Sequence, residues 1–345
     1  MSLPEFVLSP DKFIDRSIVL YGASGTGKST VVGDILFSLR EQVPQILVIC
    51  PTDRTNKTYS SGLVPKPLIH YNVTEKLLNL IWNRQDALAI VYRKANNIKV
   101  MKKLIDRLNL PFLNDTIRKI NEKLLLYEKE LRSSSTDMIE EKIKDMQDNC
   151  EKMTISIYKN FINKYRDKLS RMNLDSSEKY TLTYLNMNPR MVMIFDDATN
   201  LIKKYRNTEV MQKIFYQCRW AYITSVFCCH SDKVLDAELK GNAYYSFFTE
   251  IGCARKFFER KSMSFDKESR NTADNAMKAA FNPTLRNQKL VWERLENKFY
   301  KFTATKRDGF QFGSESLKNI CDIIAVGEDE EEMVSNNEFL REFAV

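Results

Sequence analysis

Residues 22–30 read Gly22-Ala23-Ser24-Gly25-Thr26-Gly27-Lys28-Ser29-Thr30, which contains the spacing G-x-x-x-x-G-K-S. That spacing binds a nucleoside triphosphate. Gly22, Gly25 and Gly27 permit tight left-handed turns, so successive backbone N–H groups can wrap phosphate oxygens at a helix N-terminus. Lys28 is expected to bridge the β- and γ-phosphates, and Ser29 to hold Mg²⁺. A second chemical cluster is Asp196-Asp197, directly after the apolar run Met191–Phe195. Asp196 is expected to contact Mg²⁺, directly or through water, and Asp197 to orient and polarise an attacking water. An Asp-Asp pair also serves as a turn or a helix cap; a complete phosphate loop upstream gives it a chemical reading. His230 ends a third apolar run, and it faces the γ-phosphate as a sensor if that strand lies between the other two. A histidine at a strand end serves equally as a hydrogen-bonded structural residue.

These groups need a scaffold that brings them to one edge. The order from residue 13 is a strand at about 17–21, the loop, a helix at about 28–42, and a short apolar strand at 45–50 ending at Pro51. This is a βαβ opening, and it predicts an α/β fold with a mainly parallel sheet. The next buried strands are expected only at 191–195 and 221–229. Between the strand at 45–50 and that at 191–195 lies a stretch, roughly 87–179, rich in Lys, Glu, Asn and Leu, without glycine and with Pro111 as its single proline. Its apolar residues recur at helical spacing (Ile117, Ile120, Leu124, Tyr127, Leu131; then Met138 and Ile139, Ile143, Met146), as in two or three long amphipathic helices. Ser133-Ser-Ser-Thr136 is expected to supply a turn and a new helix cap. The expected division is 1–86 as the first part of the core, 87–180 as a helical insertion, 181–313 as the second part of the core, and 314–345 as a C-terminal segment with an acidic tail. The late run 298–305 alternates only partly, as an edge strand does.

The composition excludes several classes. With 345 residues and 43% hydrophobic content, the chain can bury a full core. No run reaches the roughly 18–20 apolar residues of a membrane helix, and residues 1–10 lack the pattern of a signal peptide, so an intracellular and not an integral membrane protein is expected. Seven cysteines without a C-x-x-C pair read as reduced thiols, and two histidines are too few for a histidine-built metal site. A formal charge of +8 favours polyanionic partners.

Taken together, the phosphate loop, the strand ending in two acids, the segment Cys218-Arg219-Trp220-Ala221-Tyr222-Ile223-Thr224-Ser225 and the loop Asp236-Ala-Glu-Leu-Lys-Gly-Asn-Ala243 resemble the genome-packaging ATPases of nucleocytoplasmic large DNA viruses, the poxvirus-type branch of the FtsK/HerA superfamily. The resemblance spans roughly residues 13–250. It implies a RecA-like P-loop core of the additional-strand type, order 5-1-4-3-2, carrying the long helical insertion. It further implies ATP with Mg²⁺, a hexameric ring around double-stranded DNA held by sequence-independent phosphate contacts, a capsid or inner-membrane component as a further partner, and a place in the virion and the host cytoplasm. In that family the sensor is commonly glutamine and the following loop carries Arg-x-Asn. Here His230 stands at the sensor position and the loop reads Lys240-Gly241-Asn242. Lys240 is thus the expected trans-acting cation, as a point charge in place of a guanidinium fork, with Arg219 and Arg255 as substitutes. DNA-gripping candidates are Lys203, Lys204 and Arg206, and the run 255–261, each of which also reads as a solvated face.

Two other classes remain open on the sequence. A small-molecule kinase also begins with a phosphate loop, although paired acids after a long apolar strand argue against it. A nucleotide-binding scaffold would use the insertion as its working surface, but it has no evident need for the second carboxylate.

Overall fold

A computed structural model describes residues 3–133, 139–263, 265–281 and 287–325. Its centre is an eight-stranded sheet: β1 (Ser17–Tyr21), β2 (Gln45–Ile49), β3 (Ile69–His70), β4 (Met191–Phe195), β5 (Ile223–Cys229), β6 (Tyr245–Phe248), β7 (Gln288–Glu293) and β8 (Lys298–Thr303). The spatial order is β3-β2-β4-β5-β1-β6-β7-β8. All pairings from β3 to β6 are parallel, whereas β6–β7 and β7–β8 are antiparallel. Counting only β1, β2, β4, β5 and β6, the order is the expected 5-1-4-3-2. The sheet differs from that expectation by the two-residue β3 at one end and the β7–β8 hairpin at the other.

The central strands are nearly continuous apolar runs because both faces are covered. β1, β4 and β5 are buried at every position. The period of two sorts their side chains. Ile18, Leu20, Val192, Ile194 and Val226 join Val31, Ile35 and Leu39 of the helix Lys28–Leu39 in one cluster, with Phe6, Phe13 and Phe312. Val19, Tyr21, Met193, Phe195 and Phe227 join Ile202, Ile214 and Trp82 in the other. The Phe195 and Phe227 rings stack, with centroids 4.7 Å apart and planes 4° apart.

Two boundaries shift. The helix after the phosphate loop ends at Leu39, not 42, and β5 starts at Ile223, because a 3₁₀ turn at Cys218–Ala221 and Tyr222 at φ 57° precede it. β8 lies at the sheet's end as expected, but its outer side is partly used: Phe6 N donates to Lys301 O at 2.8 Å and Lys301 N to Pro4 O at 3.0 Å. β7 was not legible in the sequence.

Ile90–Met187 form a compact unit of their own. Within it the helices Ile98–Leu108 and Pro111–Ser133 each pack against Ile139–Lys164. Met101, Leu104, Leu108, Tyr158, Ile162 and Leu185 lie in its core. Both carboxylate oxygens of the buried Glu178 accept from Arg107, at 2.6 and 2.9 Å. The apolar spacing of the Pro111–Ser133 helix gives less burial than it promised: Ile117 packs on the core, but Tyr127 is exposed along with Leu125 and Leu126. The expected turn and cap at 133–136 fall largely on residues outside those described, as does the acidic tail from 327.

Candidate nucleotide site

Parallel pairing sets the site. Tyr21 lies opposite Cys229, and Phe195 opposite both Ile49 and Phe227. Gly22, Asp196, Asp197, His230 and the turn after β2 therefore leave the sheet at one edge, the carboxyl ends of the strands, where open α/β sheets bind ligands. β5 lies between β1 and β4, the condition on which His230 was placed near the phosphates.

The phosphate loop crosses from β1 into the helix Lys28–Leu39. Gly25 and Gly27 take the left-handed region, at φ 76° and 90°. Gly22 does not. Its requirement is space, since a Cβ there would fall 1.8 Å from Thr249 Oγ1 and 2.6 Å from Thr26 Oγ1. This corrects the expectation that all three glycines serve left-handed turns. Ala23 N donates to Glu250 Oε1 at 3.2 Å, while Ala23, Ser24 and Gly25 form an exposed crest. Thr26 Oγ1 donates to Ala23 O at 2.8 Å and lies 2.6 Å from Thr249 Oγ1. Lys28 is buried, and its Nζ donates to Gly22 O at 2.8 Å and Ala23 O at 2.9 Å, so the ammonium is held inside the curve of the loop. Ser29 and Thr30 open the first turn of the helix and line a cavity of about 580 Å³, with Gly33, Gly62, Arg307 and Phe310. Asp34, fully buried on the same helix, accepts from Thr305 N at 2.8 Å and Arg307 Nε at 2.6 Å, which ties the far wall of that cavity to the helix.

The two acids after β4 have different surroundings. Asp196 is buried and accepts from Tyr59 Oη at 2.8 Å and from Asp197 N at 3.0 Å. Burial pushes its carboxyl above the usual range; the Tyr59 hydrogen bond opposes this and the neighbouring Asp197 charge adds to it. Asp197 takes φ 50°, a left-handed conformation that costs a non-glycine residue about 1 kcal/mol. Its Oδ2 accepts from Thr52 Oγ1 at 2.6 Å, and its Oδ1 lies 2.8 Å from His230 Nε2. The side chain is thus fixed from both sides. Among the described residues no group of three or more His, Cys, Asp or Glu forms a metal cluster. Mg²⁺ does not need one: it takes one or two protein oxygens and keeps several waters. A serine hydroxyl and a buried carboxylate with its pKa raised by lack of solvation suit such a cation.

Lys240 is not where the sequence put it. It is 2% exposed, with Nζ 3.8 Å from Asp232 Oδ2, and Arg260 Nη2 contacts the same carboxylate. An ammonium enclosed in its own subunit and tied to a carboxylate cannot extend to a neighbour's nucleotide. Arg219 and Arg255 are exposed. Thr52 and Tyr59 contact the two acids, Thr249, Glu250 and Lys289 contact the phosphate loop, and none of the five was expected from the sequence. Position after a strand's carboxyl end could have flagged Thr52 and Thr249, but nothing local marks Tyr59 or Lys289.

No protein-family model matches the chain. Protein B354L of African swine fever virus, isolate Pig/Kenya/KEN-50/1950, a protein named as uncharacterized, is 32% identical over 340 residues, which covers 92% of this chain and 90% of the relative. The chain belongs to the B354L family. Its counterpart in the Tick/Malawi isolate matches to the same extent, and protein L437 of Acanthamoeba polyphaga mimivirus, also named as uncharacterized, is 43% identical over 72 residues, 21% of this chain. Among solved structures, the genome-packaging NTPase B204 of Sulfolobus turreted icosahedral virus 2 with ATP-gammaS gives a TM-score of 0.38 at 12% identity, covering 85% of this chain and 97% of that one. The type VII secretion ATPase EccC of Thermomonospora curvata gives 0.37 at 13%, covering 86% of this chain and 26% of that one. At such scores the fold of this B354L-family member is defined by its strand order and phosphate loop. They are those of a P-loop nucleotide-binding core.

Proposed function

We propose that the protein hydrolyses ATP with Mg²⁺ and uses the energy to move viral double-stranded DNA into a capsid. The observation that carries the hydrolytic part is the convergence of Lys28, Asp196 and Asp197 at one sheet edge, with Asp197 fixed by Thr52 and His230. The packaging part is supported by membership in a family from a large DNA virus and by the additional-strand sheet order.

The loop N–H groups and Lys28 would bind the β- and γ-phosphates, and the nucleoside would occupy the cavity that starts at Ser29 and Thr30, whose volume suits a ligand of that size. Ser29 and Asp196 would hold Mg²⁺, which when bound neutralises charge on the β- and γ-oxygens. Asp197 would accept a hydrogen bond from the water that attacks the γ-phosphorus; the bond from that phosphorus to the β–γ bridging oxygen breaks and ADP leaves. Asp197 is suited to this because its two oxygens are anchored, leaving their remaining lone pairs aimed without rotational freedom. His230 would sense the γ-phosphate through Asp197, to which it is bonded. Arg219 and Arg255, both exposed, take over from Lys240 as candidates for a charge supplied to the next subunit in a ring. Lys203, Lys204 and the exposed Arg255, Lys256 and Lys261 would contact DNA phosphates without reading bases.

The reading is tested by measuring ATP turnover of the purified chain and of Lys28→Ala. Turnover that Lys28→Ala abolishes is expected; turnover that survives the substitution would sink the assigned site.

A further inference from the structure

Lys289 is the second residue of β7, a strand that runs antiparallel to β6. Leu290 lies opposite Phe248, and Phe248 lies beside Tyr21, the last residue before the phosphate loop. The start of β7 is therefore at the carboxyl ends of the parallel strands. Lys289 shares the sheet face of Val291, which belongs to the cluster formed with the helix Lys28–Leu39. Its side chain consequently runs toward the first turn of that helix. Nζ donates to Thr26 O at 2.8 Å, and it would stand 3.3 Å from a Cβ placed on Gly27.

Lys289 is 4% exposed, and among the described residues no carboxylate forms an ion pair with it. A buried ammonium held by a single carbonyl is poorly compensated for its lost hydration. The other buried lysine away from the loop, Lys240, has Asp232. Burial alone lowers the pKa of Lys289. Such a charge is retained in a core where an anion completes it, and the adjacent anion site is the loop whose N–H groups and Lys28 already converge.

We propose that Lys289 is a second phosphate-binding cation of the nucleotide site, donating to phosphate oxygens of the bound nucleotide from the side of Thr26 and Gly27, apart from the Lys28 side. This rests on the nucleotide-site reading above. Gly27 then has a second reason to be glycine: a side chain there would meet the Lys289 ammonium. The β7–β8 hairpin, outside the five-strand core, in this way supplies one of the site's charges.

The experiment is equilibrium binding of fluorescent ATP and ADP analogues, and of tripolyphosphate as a competitor, to the full chain and to Lys289→Met, Lys289→Arg and Lys28→Ala, together with unfolding midpoints with and without nucleotide. Lys289→Met is expected to weaken ATP and tripolyphosphate by about tenfold or more, the range for a charged hydrogen bond. Its midpoint without nucleotide should be unchanged or higher, because the substitution removes a buried uncompensated charge. Lys289→Arg is expected to recover part of the affinity. Equal affinity of Lys289→Met and the parent chain would overturn the proposal while leaving the nucleotide site intact. A lower midpoint with unchanged affinity would overturn it in favour of a purely structural lysine. Failure of the parent chain to bind any of the three ligands would remove the nucleotide site itself and the proposal with it.

Discussion

His230 Nε2 lies 2.8 Å from Asp197 Oδ1, joining the end of β5 to the end of β4 across the edge that also carries the phosphate loop. Thr52 Oγ1 holds the other oxygen of the same carboxylate at 2.6 Å, from the turn after β2. Three adjacent strands thus converge on one side chain, and that side chain has a left-handed backbone, φ 50°, that points it there. A capping aspartate would be satisfied by nearby backbone N–H groups; this one is held by two side chains distant in sequence.

Thr52→Val removes one anchor while keeping the shape. With Asp197 freed on one side, kcat for ATP should fall about tenfold with KM little changed, since orientation of the attacking water is lost and nucleotide binding is not. Asp197→Asn should cost about 10²–10⁴-fold in kcat. Steady-state kinetics checks both, and a Thr52→Val effect confined to KM would contradict the anchoring role.

Asp196 carries an opposition between stability and function. Its folded-state pKa is raised by burial, so its favourable contribution to folding is complete below the ordinary carboxylate pKa and is lost as pH rises through the raised value. Above that raised value the ionised side chain costs stability. Asp196→Asn should therefore raise the unfolding midpoint without Mg²⁺, by roughly 1–3 °C, while abolishing turnover. Thermal unfolding at pH 7 decides; a lower midpoint would mean that the carboxylate is stabilising as it stands.

Tyr59 donates to the ionised form of Asp196 and so holds its pKa down against burial. Tyr59→Phe should raise that pKa further and move the acid limb of the pH–rate profile to higher pH. Because a metal competes with the proton for the carboxylate, added Mg²⁺ should move it back. A limb that ignores both the substitution and Mg²⁺ would detach Asp196 from the metal.

Phe310 lines the cavity beside Thr30 and packs edge-on against Phe37, with centroids 5.4 Å apart. Phe310→Ala should weaken ATP about tenfold, within the range for loss of an aromatic platform for a base, and leave tripolyphosphate binding unchanged. Equal loss for both ligands would place the nucleoside elsewhere.

What could be read from the sequence follows from how local each signal is. The strands β1, β2, β4 and β5 are apolar runs bounded by turn residues, and Lys28, Asp196 and Asp197 sit at fixed offsets from them, so one-dimensional spacing locates them. β7, Gln288–Glu293, mixes Lys289 and Glu293 into its apolar residues because the strand starts beside the phosphate loop and ends at Glu293 against the hydroxyls of Tyr245 and Tyr300, and its pattern hides it. Tyr59 reaches Asp196 across 137 positions and Lys289 reaches Thr26 across 263. Such contacts follow from topology, not from local pattern. Lys240 misled for the same reason: the expected loop at 236–243 has the spacing of an outward-reaching cation, but it is the helix Ala237–Asn242, and Asp232 and Arg260 enclose Lys240.

The most direct measurement is ATP hydrolysis by the full chain with and without long double-stranded DNA, at low and moderate salt, beside Asp197→Asn. Turnover stimulated by DNA, weakening as salt screens phosphate contacts and absent in Asp197→Asn, is the expected result. Turnover indifferent to DNA, or no turnover at all, would contradict a DNA-moving ATPase.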